Sequence, residues 1–137
     1  MYQKILVPVD LAHVDRLDKA LTTAADLSKH YQIPICYVGI TTSQPSAVAH
    51  TPTEFAKKLE QFGKTQADKH GLDATTRALT SHDPAVDLDD RLMKAISETG
   101  SDLVVMASHV PGLADHIFAS NAGYLASYAK VSVLVVR

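Results

Sequence analysis

The side chains that could carry chemistry in this chain follow its apolar runs. Asp10 ends the first run, Ile5-Leu-Val-Pro-Val9, and Ser108 with His109 follows Leu103-Val-Val-Met-Ala107. Ser120 and Asn121 stand where a last helix begins. Carboxylates and hydroxyls in such places can cap helices or hold a polar ligand, and an imidazole can move a proton. His13, His82 and His116 fall in loops at the same end and could share a rim with His109. The chain has 7 histidines, so chance alone brings some into one region. No helical His-x3-His pair marks a metal site. Asp87, Asp89 and Asp90 read as charges complementing a helix N-terminus rather than as metal ligands. A single cysteine, Cys36, excludes an internal disulfide and a cysteine-based metal site. It lies in an apolar run and reads as a small core residue.

The elements that must position these residues are legible from periodicity and punctuation. Lys4 to Val9 reads as a strand, with Pro8 near its end or on its open side. Val14, Leu17, Leu21, Ala24 and Leu27 recur at helical spacing. Ile33 to Ile40 is a nearly continuous apolar strand, suited to cover on both faces. After a polar loop, Thr51-Pro52-Thr53-Glu54 predicts a capping box with proline in the first turn, and Gly71 predicts the stop. Asp73 to Thr80 mixes polar and apolar residues, as near a sheet edge. Asp83-Pro84 predicts a cap and the next helix, ended by Gly100. Leu103 to Ala107 and Val131 to Val136 are the last strands. Between them Phe118, Ala122, Leu125 and Ala129 mark a helix.

The order βαβαβαβαβ implies an α/β fold, a five-stranded parallel sheet sandwiched by helices. Ligands of such folds sit beyond the carboxyl ends of the strands. Here those ends carry Asp10, Val38 to Thr41, and Ala107 to Val110.

Bulk composition narrows the class. With 137 residues, 46% apolar and 20% charged, the chain suits one domain spanning 1–137. A formal net charge of -2 gives no support to a nucleic-acid surface or a polybasic membrane anchor. No apolar run is long enough to cross a bilayer, and no basic-then-apolar leader opens the chain. The cytoplasm is the expected address.

Several α/β families fail on motifs. There is no Walker A loop, and the first βα turn, Asp10-Leu-Ala-His-Val14, lacks Gly-x-Gly-x-x-Gly. A receiver domain would need a second acidic residue beside Asp10 and a lysine after the fifth strand. A flavodoxin would need a hydroxyl-rich first loop. A nucleotidyltransferase would need His-x-Gly-His where Leu11-Ala12-His13 stands.

Taken in order, Ile5-Leu-Val-Pro-Val-Asp10, the Asp83-Pro84 helix start, Asp102-Leu-Val-Val-Met-Ala-Ser-His109 and Val131-Ser-Val-Leu-Val-Val-Arg137 resemble the universal stress protein family. The short loop ending in Ser120-Asn121 looks most like its small single-domain bacterial branch. The resemblance implies a Rossmann-like fold of the adenine nucleotide alpha hydrolase-like kind. It also implies ATP as a regulatory ligand in a stress response, with Mg²⁺ as a possible companion. ATP-binding members read Gly-x2-Gly-x9-Gly-Ser/Thr after the fourth strand. Aligned on Met106 and Ser120, those glycines become Ala107, Val110 and Ala119, and the second gap is one residue shorter. Glycine there permits positive φ and lets backbone N–H groups approach phosphate closely. Val110 fits that path badly, and Pro111-Gly112 offers another turn. The resemblance further assigns Asp10 near the nucleotide, beside Pro8, and the Val38 backbone to adenine. Ser108, His109, Ser120 and Asn121 face the phosphates, the last two at a helix N-terminus. It implies a homodimer through the strand Val131–Arg137, an apolar edge fit for pairing. Two further readings stay open: a dimeric interaction module without nucleotide, and a slow ATPase with no visible catalytic base.

Overall fold

A computed structural model describes residues 1–108 and 121–137. The first apolar run forms β1 (Ile5–Pro8), buried at every position. Pro8 is its last residue, and the ladder continues past it through Val9 N–H, which donates to the Val38 carbonyl at 2.8 Å. The helix expected from Val14 is instead two pieces, a 3-10 helix over Leu11–Arg16 and α1 over Asp18–Tyr31. The Asp10 carboxylate caps the first piece, and His13 inside it leaves helical geometry (φ −135°, ψ 39°).

The second strand, β2, runs Ile35–Thr41 and is wholly buried. It starts two residues later than the sequence predicts, because Ile33 belongs to the end of α1. Gln32 turns left-handed (φ 55°) and Ile33 N–H donates back to Ser28 O at 3.1 Å. Next comes α2 (Pro52–His70), closed by left-handed Gly71. Thr51 Oγ1 accepts from Glu54 N–H at 3.1 Å, as expected of its cap. The reciprocal half of the box differs. The Glu54 carboxylate accepts from His50 N–H at 3.0 Å, one residue before the cap.

The remaining elements are β3 (Ala74–Thr80), α3 (Pro84–Thr99), β4 (Leu103–Ala107), α4 (Asn121–Tyr128) and β5 (Ser132–Val136). At the start of α3 the cap expected from the Asp83 side chain is absent. Ser81 takes that work: its hydroxyl oxygen accepts from Asp83 N–H at 3.2 Å and its O–H donates to the Asp87 carboxylate.

All strand pairs are parallel, in the order β3-β2-β1-β4-β5. β3 is an edge, as its mixed composition predicts, and β5 is the other. One face of the sheet (Leu6, Val38, Val104, Met106) packs on Leu88 and Leu92 of α3 and Leu125 of α4. The opposite face (Val7, Tyr37, Val105) packs on Leu21 and Ala24 of α1. Phe62 of α2 joins that side, edge-on to Tyr37 at 5.4 Å. Burying each large side chain contributes about 1.5–3 kcal/mol. α2 lies unusually close because Gly63 has no side chain: a Cβ there would sit 2.6 Å from Thr76 Cγ2.

The chain steps outward from β1 to β3 on one side and from β4 to β5 on the other. The switch point is therefore between β1 and β4, and the crevice beyond their carboxyl ends is the natural ligand position. Among the described residues, no helix is long and apolar enough to cross a membrane.

Candidate functional site

β1 delivers Asp10 to that crevice. Val9 anchors the approach, at 1% exposure, and Asp10 itself is only 3% exposed. Its Oδ1 accepts from Ala12 N–H at 3.0 Å. Its Oδ2 lies 2.9 Å from His13 Nδ1, and with the carboxylate as acceptor the imidazole proton sits on Nδ1. The backbone carbonyl of Asp10 also accepts from His13 N–H at 3.0 Å. Asp10 is thus a helix cap. Each carboxylate oxygen can accept more than one bond, so capping and ligand contact are compatible. The His13 pairing was missed by sequence reasoning, which read His13 as a loop residue on a rim with other histidines. The signal was the Asp-x-x-His spacing, which brings i and i+3 together in a helical turn.

Beside Asp10 lies a cavity of about 140 Å³, walled by Asp10, Ala12, Ile40, Thr41, Val48 and Phe55 among others. Its base is the carboxyl end of β2 and its side wall is the first turn of α2. The loop before α2 forms the roof. Ser46 N–H donates to Ala49 O at 2.8 Å, and the Ser46 hydroxyl oxygen accepts from Val48 N–H and Ala49 N–H at 3.2 Å. Lys58 ties the roof to α2 by donating to the Val48 carbonyl, and its Nζ is 3.5 Å from Glu54. The His50 N–H holds the Glu54 carboxyl below its ordinary range, helped by Lys58. A shallower depression of about 420 Å³ shares Leu11, Ala12, Ala47 and Val48 with the cavity and reaches Lys58. A roomier one, about 500 Å³, lies at the opposite end of the sheet against the C-termini of α1 and α2. Its Ser28 hydroxyl is committed to Ile33 O at 2.5 Å, so that region serves helix termination.

The remaining sequence candidates are placed unevenly. Pro8 is buried and pairs with Val38. Val38 does not line the cavity: it is fully buried within β2 and its carbonyl is taken by Val9. The strand runs on to Thr41, and Ile40, two residues beyond Val38, stands at the cavity instead. Met106 is 1% exposed and packs in the core, so its side chain is scaffold. Ala107 ends β4 and Ser108 follows it, both half-buried, with Ser108 N–H donating to Val136 O at 2.8 Å. Asn121 is the first residue of α4. His109, Val110, Ala119 and Ser120, with His116 and Phe118, lie outside the described residues. His82 is exposed, and no group of three or more His, Cys, Asp or Glu among the described residues is arranged to hold a metal.

A five-stranded parallel sheet, helices on both faces and an acid-bearing crevice at the strand switch define a Rossmann-like α/β fold. The chain belongs to the universal stress protein family, whose model matches residues 1–137. It is similar to Universal stress protein G of Shigella flexneri, at 26% identity over 148 aligned positions that cover 100% of both chains. Among solved structures it is similar to the universal stress protein from Archaeoglobus fulgidus in complex with dAMP. That match has TM-score 0.69 and 19% identity, and covers 99% of this chain and 98% of that one. It is also similar to a universal stress protein family protein from Arabidopsis thaliana with AMP bound. Here the TM-score is 0.65 and the identity 13%, covering 98% of this chain and 90% of that one.

Proposed function

We propose that this chain binds an adenine nucleotide in the crevice beyond β1, β2 and β4 and acts as a regulatory, non-enzymatic component of a stress response. The observation that carries the reading is the cavity beside buried Asp10, at the strand switch point where ligands of this architecture sit. Adenine nucleotides bound to relatives of the same fold support it. In this reading the base enters between Ile40 and Phe55, and the sugar and phosphate pass Asp10 toward Ala107, Ser108 and the start of α4. ATP, with Mg²⁺ as its companion, is the form that the sequence resemblance implies. Binding would alter a partner surface. The cytoplasm is the proposed address.

A second reading is a nucleotide-free interaction module. The residues that favour it are Ala107, Val110 and Ala119 at the family's glycine positions. Either reading accommodates a homodimer through β5. Its support is the β5 edge, unpaired among the described residues, with Leu134 39% exposed on the strand and Tyr128 66% exposed on α4 beside it.

Calorimetric titration of nucleotide-stripped protein with ATP and Mg²⁺, repeated with AMP, tests the proposal. Saturable binding of either ligand, weakened in Ile40→Asp, is the expected result. Absence of heat for both up to millimolar concentration would overturn it in favour of the interaction module.

A further inference from the structure

We infer that the outer edge of β3, with the cationic groove beside it, docks an extended acidic segment of a partner protein, which adds to the sheet as a further strand. The backbone sets the mode. β3 pairs with β2 on one side and stands first in the sheet, so among the described residues no strand covers its other side. An edge of 7 residues presents a row of N–H and C=O groups to a chain laid along it.

The side chains choose the occupant. Arg77 is the middle residue of β3 and points to the same face as Leu79, which packs on the cluster containing Leu88 and Leu92 of α3. On the flank of α3, Arg91, Lys94 and Glu98 recur at helical spacing. With Arg77, Leu79 and Ala95 they line a depression of about 300 Å³. Three of its wall side chains are cations and one is a carboxylate. Even with Asp87 counted, which partners Arg91, the cations are in excess on a chain of net charge -2.

The existing pairs leave capacity for another anion. Glu98 is shared, since Arg77 donates to it and Lys94 Nζ stands 3.7 Å from it. Arg91 Nε is likewise 3.7 Å from Asp87, longer than a hydrogen bond. The Arg77 and Arg91 side chains are 40% and 42% exposed, so solvent screens both pairs and they hold weakly. Each guanidinium is a fork of several donors and can take an incoming carboxylate while keeping its first partner.

A strand added at this edge sends alternate side chains to the α3 face. Carboxylates two residues apart would therefore all meet the cationic wall, the complementarity that selects a partner. On its other face β3 presents Ala78 and Thr80, both exposed and short. A second copy of this chain fits badly: two-fold antiparallel pairing about the middle of β3 sets Arg77 against Arg77, and like charges directly opposite destabilise. Nucleic acid fits badly as well, because carboxylates interrupt the cations and the net charge is negative.

The probe is a capped, fluorescein-labelled peptide alternating threonine and glutamate over about eight residues, matched to the strand. It is titrated into the full chain by anisotropy, with amide NMR to locate it. Saturable binding with Kd below about 1 mM is expected, with shifts along Ala74–Thr80. Salt should weaken it, and Arg77→Gln and Arg91→Gln should each weaken it at least about threefold. The second variant lies on α3, so it tests the charge without touching β3. N-methylation of alternate peptide residues, made in both registers, keeps every carboxylate and should abolish binding in one of the two. A threonine–lysine peptide should not bind. No binding of the acidic peptide, equal binding of the lysine peptide or of both N-methylated forms, or an affinity indifferent to both substitutions would overturn the inference. Displacement of the peptide by an equal concentration of oligothymidylate would overturn it in favour of nucleic acid, and self-association lost in Arg77→Gln in favour of a second copy.

Discussion

Replacing Asp10 separates its work in folding from its work in binding. In the native chain one oxygen caps the 3-10 helix through Ala12 N–H, and the other meets His13 Nδ1 at 2.9 Å. Asp10→Ala removes both. Loss of a side-chain cap costs about 0.5–2 kcal/mol. The His13 contact adds at most about 1 kcal/mol, since that side chain is 27% exposed and partly screened. The expected loss is therefore about 0.5–3 kcal/mol, set against the roughly 5–15 kcal/mol that holds a domain together. Asp10→Asn keeps an oxygen for Ala12 N–H and caps about as well as aspartate. It loses the negative charge and presents an amide to His13, so its cost should be under about 1 kcal/mol.

Urea unfolding followed by circular dichroism measures both variants. Asp10→Ala should lower the midpoint with an unchanged slope, which reports a change in stability rather than in the surface exposed. Asp10→Asn should lie nearer to the wild type. Equal losses in the two variants would refute the capping argument, because they differ mainly in the acceptor offered to Ala12. An unperturbed Asp10→Ala would mean that the two bonds add nothing net. The same two proteins then serve the nucleotide titrations, where a fold defect can be recognised and set aside.

Gly63→Val should destabilise by about 1–3 kcal/mol, since even its Cβ would fall 2.6 Å from Thr76 Cγ2 and the helix must move off the sheet; a wild-type urea midpoint would contradict the close approach of α2. Tyr37 is fully buried, its hydroxyl finds no hydrogen-bond partner among the described residues, and burial pushes the phenol up from 10.0 to about 12. The unfolded phenol ionises first, so stability present below pH 10 should fall between pH 10 and about 12. Tyr37→Phe should be at least as stable as wild type at neutral pH and should shift alkaline unfolding upward; an unchanged alkaline midpoint would refute this. Glu54 is held below its ordinary 4.5 by the His50 N–H, so its contribution to the start of α2 is present above that pH and lost as pH falls through the lower folded value. Amide exchange at His50 should accelerate in Glu54→Ala at neutral pH, and protection equal to wild type would count against the contact.

What the sequence made legible was whatever depends on short-range pattern. The near-continuous apolar runs at β1, β2 and β4 could be fully buried strands, and punctuation by Gly71 and Gly100 marked real left-handed caps at φ 65° and 68°. The mixed strand Ala74–Thr80 lies at an edge because it meets a neighbour on one side alone. Errors arose where one side chain could choose between adjacent backbone partners. Glu54 bonds the N–H of His50 rather than that of Thr51, and Ser81 displaces Asp83 as the organiser of α3. Each alternative satisfies a similar number of donors, so composition does not distinguish them.

The crevice shows the same limit at larger scale. Asp10 was identifiable because a carboxylate directly after a buried strand has few places to go. The register of β2 was not, because Val38 and Ile40 are both apolar and point to the same face of the sheet. What separates them is the strand's end: Val9 N–H takes the Val38 carbonyl, whereas Ile40 lies far enough along to meet the cavity. That two-residue step is about 7 Å along a strand, the difference between a core position away from the cavity and one that also lines it. The step therefore makes a sharp comparison: Ile40→Asp should abolish nucleotide binding if base stacking occurs in the cavity, with unfolding checked by circular dichroism. Val38→Ala, which removes core volume at 0% exposure, should cost stability, about 1–3 kcal/mol, while leaving the affinity of the folded fraction intact. The opposite pattern, with Val38→Ala changing affinity and Ile40→Asp silent, would return the base to the position that the sequence resemblance first assigned.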